Sequence, residues 1–346
     1  MSQQYNSLYP GEVLETISGF PTIYHYQPPA NVNPKQPRPL VVCVPGGLHL
    51  ARIFYGGHKG SNPSDFLSHW LSQHGFAVLS LSYPLETSPD LMPATAAHFR
   101  IPNWGLQAAT TAKKVIDEHA ISSSAVILIS WSMGGHMVVP FTIAARDLGL
   151  DVQQYIGFAA TPGFSSIRSL SRGITCSPSG YLQLPPHMEV FQRQLAKMNE
   201  VNGREIISQD VYIREYTGGT PINLIGLGLK YDGQGEFVKD DVPHEEDTKV
   251  LDIANLPFIT ALAPTSILDA SHALADRASW GFLLTYKLEA MIGKQGIRNV
   301  RDSDRWQQLL HLIHSAPERL CRPVPGNHFF FVGERSAKEA AEELLS

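Results

Sequence analysis

Ala125-Val-Ile-Leu-Ile-Ser-Trp-Ser-Met-Gly-Gly-His136 is the stretch that decides how this chain is read. Residues 125–129 are apolar and mostly β-branched, which predicts a short strand buried on both faces of a parallel sheet. Ser130-Trp-Ser-Met-Gly-Gly135 then makes a sharp turn of mostly small residues, and Met137, Val138, Phe141 and Ala144 recur at helical spacing. A serine at the apex of such a strand–turn–helix is held in a strained conformation with its hydroxyl over the sheet edge, so Ser132 is the candidate nucleophile. Small residues two places before and after it let strand and helix cross closely. Here they are Ser130 and Gly134, giving S-x-S-x-G rather than G-x-S-x-G. The helix behind Ser132 is expected to aim its first N–H groups at any anion formed there. The structural alternative is a plain β-to-α turn.

Working outward, 346 residues are enough for one large domain, or one domain with an insertion. A hydrophobic content of 43% supports a sizeable core, and a net charge of −5 leaves no basic footprint for nucleic acid. The three cysteines, Cys43, Cys176 and Cys321, have no metal-ligand spacing; a sparse odd number fits a reducing compartment, so a cytoplasmic protein is expected. The first residues lack the basic and apolar regions of a signal peptide. No apolar run is long enough to span a membrane. No repeat and no low-complexity tract is evident.

Upstream, residues 12–17 and 22–26 alternate around Ser18-Gly19 and predict an antiparallel hairpin. A proline-rich link over 28–39 leads to Leu40-Val-Val-Cys-Val44, a second fully buried strand, which ends in Pro45-Gly-Gly-Leu-His49. Residues 64–74 read as a helix with Phe66, Trp70 and Leu71 inward, and 76–81 as a third strand. Residues 104–119 read as a helix with Leu106, Ala109, Ala112 and Ile116 on one face. Residues 155–159 close this run of strands. Strands alternating with helices imply a mostly parallel sheet with right-handed crossovers.

From Gly163 the rhythm breaks. Residues 163–255 are too long for a simple crossover. They contain one clear amphipathic helix, near 187–199 with Phe191, Leu195 and Met198 aligned, and a Gly- and acid-rich stretch over 226–247. The expectation is a lid inserted over the active edge of the sheet, where substrate choice resides; a peripheral decoration is the alternative. The acidic run Glu245-Glu-Asp247 is read as a solvated face. Residues 1–162 and 256–346 then form the two parts of the core. The second part has a weak strand over 257–263, helices over 266–292 and 304–315, a last strand over 319–324, and a closing helix over 334–345. Trp306, Leu309, Leu310 and Ile313 are expected inward on the second of these helices.

A serine hydroxyl needs a base. Of the 14 histidines, His328 alone follows a last strand and a small-residue turn just before a closing helix, which makes it the candidate general base. His49 sits in the Gly-Gly loop and His136 in the helix after Ser132. His272, His311 and His314 fall on helices and read as surface or core residues. A developing oxyanion needs two fixed N–H donors. One is assigned to Met133, the other to Gly46 or Gly47, whose lack of a side chain lets main chain approach a ligand.

Together, Val44-Pro-Gly-Gly47, Ser82-Tyr-Pro-Leu-Glu86, residues 130–135 and Pro325-Gly-Asn-His328 resemble the α/β-hydrolase superfamily, and within it the hormone-sensitive-lipase-like serine esterases. The resemblance spans most of the core but not residues 163–255. It departs from that branch at Pro45, where a histidine is usual, and at Ser130-Trp131, where Gly-Asp is usual. It implies an α/β-hydrolase fold with helices on both faces of the sheet, and a triad acid after the penultimate strand. If residues 258–262 are that strand, Asp269 is the nearest carboxylate, although its place three residues after Ser266 also fits a capping box. If instead residues 286–292 are that strand, Asp302 or Asp304 is the acid, but Lys287-Leu-Glu-Ala-Met291 favours helix. No metal or cofactor is called for. The expected partner is a small-molecule acyl substrate, with an acyl-carrier or CoA thioester as one form of it. Hydrolysis of an ester, lactone or thioester, release or cyclisation of an acyl chain, and ligand binding without catalysis all stay open. Retention of both Ser132 and His328 weighs against the last.

Overall fold

A computed structural model describes residues 8–32, 37–88, 90–164, 173–300 and 304–345. Its centre is an eight-stranded sheet: β1 (Glu12–Ile17), β2 (Phe20–Gln27), β3 (Leu40–Val44), β4 (Val78–Ser82), β5 (Ala125–Trp131), β6 (Asp151–Phe158), β7 (Ile259–Pro264) and β8 (Cys321–Val324). The spatial order is β1-β2-β4-β3-β5-β6-β7-β8, and only β2 runs against the rest. This is the α/β-hydrolase fold.

The pleat explains why β3 and β5 are apolar throughout. Leu40, Val42 and Val44 join Val126 and Leu128 in the core on one face, while Val41 and Cys43 join Ile127, Ile129 and Trp131 on the other. The first face is covered by α2 (Ile101–Glu118), α3 (Val138–Asp147) and α7 (Ala270–Val300). The second is covered by α1 (Leu67–Gln73) and α9 (Glu334–Glu343), together with α4 (Pro185–Val201) and α5 (Gln209–Tyr216) from the segment between β6 and β7. That segment also carries two small antiparallel ribbons and one helical turn, α6 (His244–Thr248). Near the chain's end α8 (Asp304–Leu320) packs on α7.

The hairpin turn falls where expected, with Ser18 and Gly19 both at positive φ, the backbone that a tight two-residue turn requires. Several expectations are corrected. Leu106 is 44% exposed, although Ala109, Ala112 and Ile116 lie inward as expected: it stands about 200° around α2 from Trp104, away from the buried face. Residues 286–292 are helical, part of α7, which breaks at Gly293 (φ 66°). Trp306, Leu309, Leu310 and Ile313 are only half-buried, because α8 lies at the outer edge of the molecule. Asp247 is buried, and with Asp240 it grips Arg100 at 2.8 Å each, so the acidic run is partly an ion-pair anchor for α6.

Candidate active site

Ser132 stands at the end of β5 with φ 54°. A non-glycine residue there carries strain of about 1 kcal/mol or more, which the surroundings must impose. They do so from both sides. The Thr161 N–H donates to the Ser132 carbonyl at 2.9 Å. A Cβ on Gly135 would lie 2.2 Å from the Thr161 carbonyl oxygen, so only glycine fits that crossing. The turn continues as a 3-10 segment, Ser132–Met137, before α3 begins, a tighter start than the α-helix expected directly behind Ser132. The unusual Ser130 is fully buried, and its hydroxyl shares a hydrogen bond with the Tyr155 hydroxyl at 2.8 Å. That partner is what allows serine where glycine is usual.

Gly46 and Gly47 press against this turn. A Cβ on Gly46 would lie 2.6 Å from Ser132 Cβ and 3.2 Å from its Oγ, and one on Gly47 would touch Met133 Sδ at 3.4 Å. Three of the loop's carbonyls are held elsewhere. Tyr83 donates to Gly46 O at 2.9 Å, His49 Nδ1 to Gly47 O at 2.7 Å, and Gly218 N–H to Leu48 O at 3.0 Å. In a trans peptide the N–H opposes the C=O, so pinning Gly46 O on Tyr83 turns the Gly47 N–H the other way. The Leu48 N–H is taken by Thr220 Oγ1 at 2.7 Å. His49 accepts the Tyr212 hydroxyl at its second nitrogen, 2.6 Å away. Complete burial pushes its pKa down to about 3, so it serves as a neutral bracket for the loop.

Asp269 and His328 come together because the loops after β7 and β8 are zipped: Thr265 N–H donates to Val324 O at 3.0 Å and Ser266 N–H to Gly326 O at 2.9 Å. His328 Nδ1 then donates to Asp269 Oδ2 at 2.8 Å, with both side chains buried. Ser266 does cap the short 3-10 turn at its side chain, but Asp269 turns to His328. Asp304 starts α8 on the exposed surface, and Asp302 lies outside the described residues. His328 Nε2 is buried with no hydrogen-bond partner among the described residues. Burial lowers the His328 pKa, and the Asp269 carboxylate opposes that shift.

Ser132, Met133, Gly47, Asp269 and His328 all line one cavity of about 510 Å³. Apolar side chains make up much of its lining, among them Leu184, Val190 and Phe191 of α4 and its approach. Three supports of His328 have no signature in the sequence. Trp131 Nε1 donates to the His328 carbonyl at 2.9 Å, Phe191 stacks on its ring at 5.5 Å between centroids, and Asn327 Nδ2 donates to Gln194 O at 2.8 Å. His272, read from sequence as a surface or core residue, is buried on the cavity wall. His136 is buried, lines the same cavity and donates from Nδ1 to Leu224 O at 2.8 Å. Among the described residues, the histidine or acidic groups placed closely enough to share a metal are Asp269, His272 and His328, with ligand atoms within 4.8 Å of one another. Hydrogen bonds from His328 to Asp269 and from His272 to Asp276 already engage all three. No helix of the described residues is long and apolar enough to cross a membrane.

No family model matches this chain, and no curated protein matches it. Similar solved structures include a bacterial membrane phospholipase A (13% identity, 96% of this chain and 84% of that one, TM-score 0.47). Others are an esterase from Pyrobaculum calidifontis (15%, 96% and 82%, 0.40) and a thioesterase domain from the curacin biosynthetic pathway (11%, 97% and 99%, 0.40). These identities are too low to carry an activity over to this chain.

Proposed function

We propose that this chain is a serine hydrolase that cleaves a carboxylic ester, lactone or thioester through an acyl-enzyme on Ser132. The observation that carries the reading is Ser132 at positive φ on one wall of a cavity that also holds the buried His328–Asp269 pair. In this reading His328 Nε2 takes the Ser132 proton as Oγ attacks the acyl carbon. Asp269 holds the opposite N–H and stabilises the imidazolium. The N–H groups of Met133 and the Gly46-Gly47 loop receive the oxyanion, each such donor being worth about 3 kcal/mol in the transition state. His328 then protonates the leaving group, and a water activated by the same nitrogen releases the acid. The motifs that resemble the hormone-sensitive-lipase-like esterases support the same assignment, without fixing the branch.

Residues 163–255 act in this account as the lid, since α4 supplies much of the apolar wall. The expected partner is a small acyl compound, presented free or as a CoA or acyl-carrier thioester. A cavity large enough for an acyl chain, walled by apolar side chains, favours as second reading the release or cyclisation of that chain with water excluded. Ligand binding alone would leave the strain at Ser132 and the unpartnered His328 nitrogen without a purpose. The three cysteines are free, which fits a cytoplasmic setting.

Pre-steady-state turnover of p-nitrophenyl acetate tests the reading. A burst of about one p-nitrophenolate per chain, lost in Ser132→Ala, is expected. A burst that survives the substitution would remove Ser132 from the mechanism.

A further inference from the structure

A second imidazole–carboxylate pair shares the cavity. His272 Nδ1 sits 2.9 and 3.0 Å from the two oxygens of Asp276, and both residues are buried and line the cavity. They lie on α7 together with Ser279, at positions i, i+4 and i+7, so one face of that helix sets a polar stripe on the cavity wall. Burying such a pair beside a plain hydrocarbon would cost stability without return. With Nδ1 donating to the Asp276 carboxylate, the ring carries its remaining acceptor at Nε2. That nitrogen has no hydrogen-bond partner among the described residues. What fits it is an O–H donor from the substrate.

The place of that donor follows from the rings. His272 and His328 have centroids 5.0 Å apart. A group meeting His272 therefore lies close to the bond that His328 serves. We infer that His272, held by Asp276, is a substrate-binding residue that selects acyl groups carrying a hydroxyl close to the scissile carbonyl. This rests on Ser132 being the nucleophile.

The test compares N-acetylcysteamine thioesters of 3-hydroxybutyric and butyric acid. The wild-type chain is expected to favour the hydroxylated one in kcat/KM by about tenfold or more, because a site built for a hydroxyl rejects its absence. His272→Leu should bring that ratio to near one, and Asp276→Asn, which frees the ring's tautomer, should lower it in the same direction. An unchanged ratio in both variants, or equal losses on both thioesters, overturns the inference, since the pair would then act through His328 alone. Fluorophosphonate labelling runs alongside. A wild-type chain that labels at Ser132 but shows no ratio change loses only the hydroxyl selection. A wild-type chain that does not label loses both.

Discussion

The ring of Phe191 lies face to face with that of His328, centroids 5.5 Å and planes 19° apart, so a residue of α4 is packed directly on the proposed general base. Phe191 also closes the cavity and touches the rings of His49, Trp131 and Phe329. Phe191→Ala is therefore expected to cost about 3 kcal/mol of stability, at the low end for a buried phenylalanine because one side already faces open space. It should also shift chain-length preference among p-nitrophenyl esters more than it lowers the rate on the acetyl ester. An equal loss on every ester would make the contact purely structural.

Gly46 tests the oxyanion loop. A methyl group there would meet Ser132 Cβ at 2.6 Å, and the Trp131 carbonyl oxygen at 3.3 Å bars the other direction. Gly46→Ala should lower kcat by about 10²-fold or more, the scale of one lost oxyanion donor, with a smaller stability loss of about 1–3 kcal/mol. A near-native kcat would show that the loop is not part of the transition-state site.

Asp269→Asn keeps the size of the side chain but removes the charge and the fixed tautomer of His328. The expected loss is about 10⁴-fold in kcat with little change in Tm. Asp304→Asn, on the exposed start of α8, serves as the control and should do nothing to the rate. Equal rates in both variants would remove Asp269 from the mechanism.

The buried histidines set an acid limit. His49, His136 and His244 are held neutral by burial, with pKa values pushed to about 3, 3 and 4. A histidine whose folded-state value is depressed contributes stability that is whole above about pH 6.5 and is lost as the pH falls toward the folded value. By pH 5 each such group costs about 2 kcal/mol relative to neutral pH, since unfolding lets it take up a proton. The urea midpoint should fall between pH 7.5 and 5; a constant midpoint would contradict the burial argument. His328 is shifted in the same direction, so the acid limb of kcat/KM should lie below the ordinary histidine value.

What could be read from the sequence is what main-chain geometry demands. Ser132 is marked by its positive-φ turn, Gly134 by the Pro45 carbonyl oxygen 3.0 Å from where its Cβ would be, and Gly46 by the approach of its loop to Ser132. Val42 and Leu128 announce the parallel sheet because strands buried on both faces cannot alternate. Asp269 is ambiguous in the sequence because its partner is 59 residues away and its local pattern, Ser266 three places before, also describes a cap. His272 carries no local pattern at all. A histidine on a helix has no local signature, and only the folding of α7 against the cavity makes it a pocket residue. Leu106 is exposed because it lies about 200° around α2 from the fully buried Trp104.

The central claim is that Ser132 is the nucleophile and His328 its base. The most direct measurement is intact-mass and peptide mapping after brief exposure to a fluorophosphonate. The account predicts one adduct per chain, mapped to Ser132, absent in Ser132→Ala and formed slower by orders of magnitude in His328→Ala. No adduct on the wild-type chain, or an adduct that persists in Ser132→Ala, would contradict it.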